Sequence, residues 1–236
     1  MIRCIIIDDE PFARQEIIDL LDEHDDFEVI AQCGNAIDAL AQINQHKPEL
    51  IFVDIQMPRI NGMELIAMLN PDFLPRVVFI TAYDEYAVKA FENNAFDYLL
   101  KPIDDTRFRK TLEKLRTELT PQDLSTISPT ELEQLPCFCG NRLIVTQTQD
   151  VEYVMSYVGG IKVFTPFMPC HTQLTLKVLE EKTPLIRCHK QYLVAPSAIT
   201  EIELLDTGAE ITTKSGAKVP VSRRYLKALK QTLGFQ

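Results

Sequence analysis

Leu50-Ile51-Phe52-Val53-Asp54-Ile55-Gln56-Met57-Pro58-Arg59-Ile60-Asn61-Gly62 passes from four apolar residues to an acid, then through a Pro- and Gly-bearing turn. An apolar run with no polar alternation is the pattern of a strand covered on both faces, as strands of a parallel sheet are. The run Ile2 to Ile7 upstream has the same texture and also ends in acids, Asp8-Asp9. Outward from these two runs, strand and helix patterns alternate. Strands are expected over 2–7, 28–32, 50–53, 77–80 and 97–99, and helices over 11–23, 36–45, 62–69, 85–93 and 106–119. Pro11 suits the first turn of its helix, and Phe108, Leu112, Leu115 and Leu119 form one apolar stripe on the last. Five such units predict an α/β fold, a doubly wound five-stranded parallel sheet with helices on both faces.

In such a sheet, functional groups gather where the strands end. The residues there are Asp8-Asp9, Asp54, Thr81-Ala82 and Lys101-Pro102. Three carboxylates, a hydroxyl and an ammonium would therefore meet at one edge. Carboxylates packed together repel unless a cation neutralises them, and a hard divalent ion such as Mg²⁺ or Mn²⁺ suits oxygen ligands. A carboxylate nucleophile, a divalent ion and a positioned lysine are the parts phosphoryl transfer needs. Each residue alone has an ordinary explanation, as cap, turn, core or surface; the set in this order does not. Asp84 is expected to cap the following helix, and the acidic run Asp22, Glu23, Asp25, Asp26 to be a solvated helix end.

Asp8-Asp9-Glu10-Pro11, the stretch 54–62, Thr81-Ala82 and Asp97-Tyr98-Leu99-Leu100-Lys101-Pro102 resemble the receiver domain of two-component response regulators, with the match spanning residues 1–117. The resemblance implies that Asp54 accepts a phosphoryl group from a phosphohistidine on a sensor histidine kinase. It implies that Asp9, Asp54 and the Gln56 backbone carbonyl ligate Mg²⁺, with Asp8 holding the ion directly or through water. Lys101 would pair with a phosphoryl oxygen, Thr81 would hydrogen-bond another, and Ala82 would leave the group accessible. Tyr98 occupies the place of an aromatic switch, and the Lys101–Pro102 bond is expected to be cis. Residues 85–92, Tyr98 and 104–116 would form the face through which phosphorylation favours a homodimer.

The formal net charge of −10 at first argues against nucleic acid, but its distribution does not. Residues 1–117 hold 12 Lys and Arg against 22 Asp and Glu, residues 118–136 hold four acids, and residues 137–236 hold 12 Lys and Arg against eight acids. Pro121, Pro129 and Pro136 with several Ser, Thr and Gln make 118–136 a linker by composition. The hydrophobic fraction of 46% excludes a disordered chain, and no apolar stretch is long enough for a spanning helix. No membrane insertion is expected. The N-terminal apolar run is too short for a secretory signal, so a cytoplasmic location follows as an expectation. The six cysteines, Cys4, Cys33, Cys137, Cys139, Cys170 and Cys188, are then expected to be reduced, mostly buried thiols; their spacing does not match zinc knuckles.

Residues 137–236 read as a mainly β domain. Strands are expected over 142–146, 151–157, 161–164, 185–188, 192–195, 199–205, 210–213 and 218–221, with helices over 174–180 and 223–232. The runs 187–194, 199–202 and 219–226 resemble the LytTR DNA-binding domain of the LytR/AlgR family, in which loops of a ten-stranded β fold enter successive major grooves. That resemblance implies base contacts from Lys190 and Arg223, a third contact loop at 158–162, and direct repeats in promoters as the target. Arg224, Lys227 and Lys162 would touch phosphates, and His189 is left open between a role in the strand and DNA contact. Ala195-Pro196 stands where many relatives carry Asn, so any role of that amide is absent. The expected function is a cytoplasmic response regulator that is phosphorylated by a LytS-like kinase and regulates transcription. It would be no enzyme beyond its own phosphorylation and slow dephosphorylation. The alternative is a phosphorylation-gated module whose β domain binds a protein.

Overall fold

In a computed structural model of the chain, residues 1–82, 95–117, 131–140, 142–206 and 208–235 are described. They divide into two units, Met1–Thr130 and Glu131–Gln236. In the first, β1 (Ile2–Ile7), β2 (Phe27–Cys33), β3 (Leu50–Val53), β4 (Arg76–Thr81) and β5 (Asp97–Leu100) form a parallel sheet in the order β2-β1-β3-β4-β5. Leu50, Ile51, Phe52 and Val53 are all fully buried, which is why β3 carries no polar alternation. The helices are α1 (Pro11–Leu21), α2 (Ala36–His46), α3 (Gly62–Met68) and α4 (Asp105–Thr117). Phe108, Leu112 and Leu115 of α4 join Ile6, Ile17, Phe52, Val78 and Leu99 in one buried cluster. The helix expected over 85–93, its cap Asp84, and Leu119 lie outside the described residues.

The second unit holds ten strands among its described residues. A seven-stranded antiparallel sheet contains β6 (Gln134–Cys139), β7 (Arg142–Gln147), β8 (Tyr153–Tyr157), β9 (Gly160–Phe164), β10 (Pro169–Thr172), β11 (Ile186–His189) and β12 (Tyr192–Val194). Their spatial order is β11-β12-β8-β9-β10-β6-β7. A three-stranded sheet follows, made of β13 (Ile199–Leu205), β14 (Gly208–Thr213) and β15 (Lys218–Ser222), with helices α5 (Leu176–Lys182) and α6 (Arg223–Thr232). Cys188 and Val194 of the larger sheet pack with Ile211, Val219 and Val221 of the smaller and with Leu229 of α6, so one core joins the layers.

Two strands were not expected. Residues 134–136, read as the end of the linker, begin β6, and the second unit starts at Glu131. Leu132, Leu135 and Cys137 are buried there at 3% exposure or less. The three prolines gave the segment the look of a spacer, yet Pro136 sits inside a sheet, with its carbonyl accepting from the Thr172 hydroxyl at 2.7 Å. β10, Pro-Cys-His-Thr, was missed because none of those residue types has a strong preference for strands except threonine.

Candidate functional site

Asp8, Asp54, Thr81 and Lys101 of the first unit stand at the carboxyl ends of strands. Asp8 follows β1 and Asp54 follows β3, and their side chains are buried. Lys101 follows β5; its Nζ lies 2.8 Å from Asp8 Oδ2 and 2.8 Å from Asp54 Oδ2, with Glu10 Oε2 at 3.8 Å. The Lys101–Pro102 peptide is cis, as the receiver resemblance implies. Burial disfavours the ammonium, but the hydrogen bonds and charges of Asp54 and Asp8 outweigh it, and Lys101 is held above the ordinary lysine pKa. Asp54 Oδ1 accepts from the Gln56 amide at 3.0 Å, and Asp8 Oδ1 from the Glu10 amide at 2.9 Å. The buried Asp8 Oδ2 has its ion pair with Lys101 and no well-directed hydrogen bond.

Asp9 completes the acidic group: one carboxylate oxygen from each of Asp8, Asp9 and Asp54 lies within 4.8 Å of the others. Three formal negative charges face one ammonium here. An all-oxygen set of three carboxylates with a single ammonium against it fits a hard divalent cation. Gln56, whose carbonyl was expected as a further ligand, sits on the exposed turn two residues after Asp54. Gly62 explains why the turn can pass so close: a Cβ there would come within 2.3 Å of the Asp54 carbonyl oxygen. The next turn is fixed by Asn61, whose side chain accepts from the Glu64 amide at 2.9 Å while Glu64 accepts from the Asn61 amide at 2.8 Å.

Thr81 ends β4 and is fully buried, with its carbonyl accepting the Lys101 amide at 2.9 Å. Tyr98 lies on the neighbouring strand and is half-buried. Sequence reasoning missed what surrounds it. Arg107 of α4 stacks its guanidinium over the Tyr98 ring at 5.7 Å and donates to the Tyr98 carbonyl at 3.1 Å. The same guanidinium forks onto both carboxylate oxygens of Asp97, and Thr111 Oγ1 donates to Asp97 at 2.8 Å. Burial alone would raise the Asp97 pKa; Arg107 and Thr111 more than reverse that, and the group lies below the usual carboxylate value. An Arg ten residues from an Asp on a different element has no local sequence signal.

In the second unit the candidate contact residues lie on the β11–β12 turn, on strand β9 and on helix α6. Ser156 donates its amide to the Gln191 carbonyl at 2.8 Å, which ties the β8–β9 hairpin to the β11–β12 turn. That turn carries exposed Lys190, and Lys162 lies two residues into β9 with its ammonium 5.5 Å over Phe164. His189 is the last residue of β11: its Nδ1 accepts from the Gln191 amide at 3.2 Å, and its ring meets Tyr192 edge-on. Burial and the Lys190 charge depress its pKa, so it is neutral near pH 7. Arg223 opens α6, is exposed, and donates to the Asp206 carbonyl on the β13–β14 turn. Arg224 and Lys227 are exposed on the same helix. Lys190 and Arg223 each lie two residues beyond a member of one apolar cluster, Cys188 and Val221, so a common core holds both strand ends.

Sequence reasoning also missed Glu152. Its carboxylate is buried at 4% exposure and accepts the Thr213 hydroxyl at 2.8 Å, the Ser215 amide at 3.0 Å and the Ser215 hydroxyl. It thereby pins the β14–β15 turn to the segment that leads into β8.

A five-stranded sheet in this order, with acids and a lysine at its strand ends, is the architecture of a receiver, and comparison with known proteins agrees. Residues 4–113 match the response regulator receiver domain, and residues 141–234 match the LytTr DNA-binding domain. A response regulatory protein of Shewanella oneidensis is 64% identical over 236 residues, covering all of both chains. The transcriptional regulatory protein BtsR of Escherichia coli is 46% identical over 239 residues, again covering both in full. The response regulatory domain of protein mrkE from Klebsiella pneumoniae is 38% identical over 49% of this chain and 95% of its own, with a TM-score of 0.43. The chain belongs to the two-component response regulators that join a receiver to a LytTR DNA-binding domain. No described helix is long and apolar enough to cross a membrane.

Proposed function

We propose that this protein is a cytoplasmic transcription regulator switched by phosphorylation of Asp54. The observation that carries the reading is the buried Asp54 carboxylate, 2.8 Å from Lys101 and beside two further acids. A sensor histidine kinase of LytS type would present a phosphohistidine. Asp54 attacks phosphorus, the new P–O bond forms as the P–N bond breaks, and the imidazole leaves. Lys101 is placed to pair with a phosphoryl oxygen, and Thr81 to hydrogen-bond another. Asp8, Asp9, Asp54 and the Gln56 carbonyl would hold Mg²⁺, which neutralises charge around the transferred group. Slow hydrolysis of the acyl phosphate resets the site.

The added charge, roughly −1.5 to −2, then biases a two-state element. Tyr98 and α4 lie next to the site and belong to the face through which the phosphorylated receiver dimerises. Two LytTR domains so paired bind direct repeats in promoters. Lys190 and Arg223 read bases, since bidentate cations match guanine edges. Arg223 keeps this capacity while donating to Asp206, because a guanidinium carries several N–H donors. Arg224, Lys227 and Lys162 contact phosphates and set register.

Asp54→Asn is expected to abolish phosphoryl uptake from acetyl phosphate with Mg²⁺ present, read on phosphate-affinity gels, while circular dichroism stays that of the wild type. Continued labelling of the variant would refute the assignment. Arg223→Ala is expected to weaken binding to a promoter repeat by about 1–3 kcal/mol more than binding to random DNA. An equal loss on both would reduce Arg223 to a phosphate contact.

A further inference from the structure

β6 and β10 run antiparallel with His171 opposite Phe138. One step along each strand in opposite directions sets Cys170 opposite Cys139, so their side chains leave the sheet on the same face. Opposed Cβ atoms in such a pair lie about 4.5–5.5 Å apart, the closer ones approaching the span of a disulfide. The nearby Cys139 thiol adds to burial in pushing up the Cys170 pKa.

The pair differs from the other cysteines in access. Of the six, Cys139 alone is not buried. Its thiol donates to Met168 Sδ at 3.6 Å, at the base of the loop 165–168, where Phe167 is 88% exposed. Cys170 lies just beneath at 3% exposure. Cys4, Cys33 and Cys188 are pushed up by burial to about 12, and Cys137 to about 11, which leaves them as inert core thiols.

We propose that Cys139 and Cys170 form a peroxide-responsive dithiol, with Cys139 as the attacking thiol and Cys170 as the resolving one. Cys139 sulfur attacks one oxygen of hydrogen peroxide; the O–O bond breaks, and the thiol proton leaves with the departing hydroxide as water. Cys170 sulfur then attacks the sulfenic sulfur of Cys139. The S–O bond breaks, the S–S bond forms, and the Cys170 proton leaves with the hydroxyl as a second water. Two thiols lose two electrons and one peroxide becomes two waters. An external dithiol reverses the bond, as transient disulfides in a reducing compartment require. The product covalently ties the first strand of the unit to the strand that follows the exposed 165–168 loop.

The test uses the full-length wild-type protein, reduced, exposed to hydrogen peroxide, alkylated and mapped by mass spectrometry. The expected result is a loss of two hydrogens from the intact mass, a linked peptide pair containing Cys139 and Cys170, and restoration by dithiothreitol. In Cys170→Ala, dimedone is expected to label Cys139; in Cys139→Ser, both the linked pair and the label disappear. Both cysteines remaining free under peroxide, a disulfide to any other cysteine, or a link between two chains would overturn the proposal. Because the wild-type map needs no substitution, a variant that misfolds leaves the test intact. It is also independent of the phosphorylation reading, since neither Asp54 nor DNA takes part.

Discussion

Among the described residues Asp8, Asp54 and Glu152 carry buried carboxylates, and two of them, Asp54 at 5% exposure and Glu152 at 4%, are settled in opposite ways. Around Glu152 the donors are neutral: two hydroxyls and an amide, all from the one turn it holds. Around Asp54 stand two more acids and one ammonium. Burying a charge is costly unless it is paired and hydrogen-bonded. Glu152 meets that condition within the chain, which makes it a structural pin. The Asp54 group meets it only in part, and the remaining negative charge is what supports the proposal of a cation and a phosphoryl group there. A saturated carboxylate is architecture; an under-neutralised one is chemistry.

The difference can be broken from the charged side first. Lys101→Met is expected to lower the rate of phosphoryl uptake from acetyl phosphate by about 10²-fold or more, the scale of losing one preorganised electrostatic partner. A wild-type rate in stopped-flow or gel assays would show that the ammonium is not used. Next, Mg²⁺ is expected to stabilise the first unit alone, by about 2.7 kcal/mol when the ion is at 100 times its dissociation constant. Differential scanning calorimetry should show one transition rising and the other unmoved, with Asp8→Ala removing the rise. A rise in both transitions would contradict a site confined to the acidic cluster.

From the saturated side, Glu152→Ala leaves the Thr213 and Ser215 donors without their acceptor and is expected to cost about 1–3 kcal/mol in urea unfolding of the second unit. Phosphoryl uptake should be untouched. A change in uptake, or no change in stability, would erase the contrast between pin and site. The smallest effect concerns Asp97. Its folded pKa is depressed, so its contribution to stability is present above the usual carboxylate range and is lost as pH falls through that range toward the lower folded value. Arg107→Ala should flatten that part of the stability–pH curve, measured by thermal unfolding between neutral and acid pH. An unchanged slope would mean that Arg107 does not hold the charge.

The receiver half was nearly all legible because its signals are local. A buried parallel strand announces itself as an apolar run, and the residue after it is placed by the fold rather than by its neighbours; hence Asp8, Asp54 and Lys101 could be named in advance. Tyr98 could be named, but not Arg107 above it. The pairing of Glu152 with Thr213 and Ser215 spans more than 60 residues and two sheets, and no spacing rule reaches that far. β6 was hidden by Pro136 and the proline-bearing segment before it, and β10 by residues that seldom form strands. In both, tertiary pairing overrode local preference.

The hydrogen bond from Ser156 to Gln191 has a consequence for target choice. It joins the end of β8 to the β11–β12 turn, so under the proposed DNA reading the spacing between the two contact loops is set by the sheet and not adjusted to the DNA. Operators that differ in sequence at those positions would be ranked by fit. Under that reading, operators with one base inserted between the two contacts are expected to bind more weakly in gel-shift titrations.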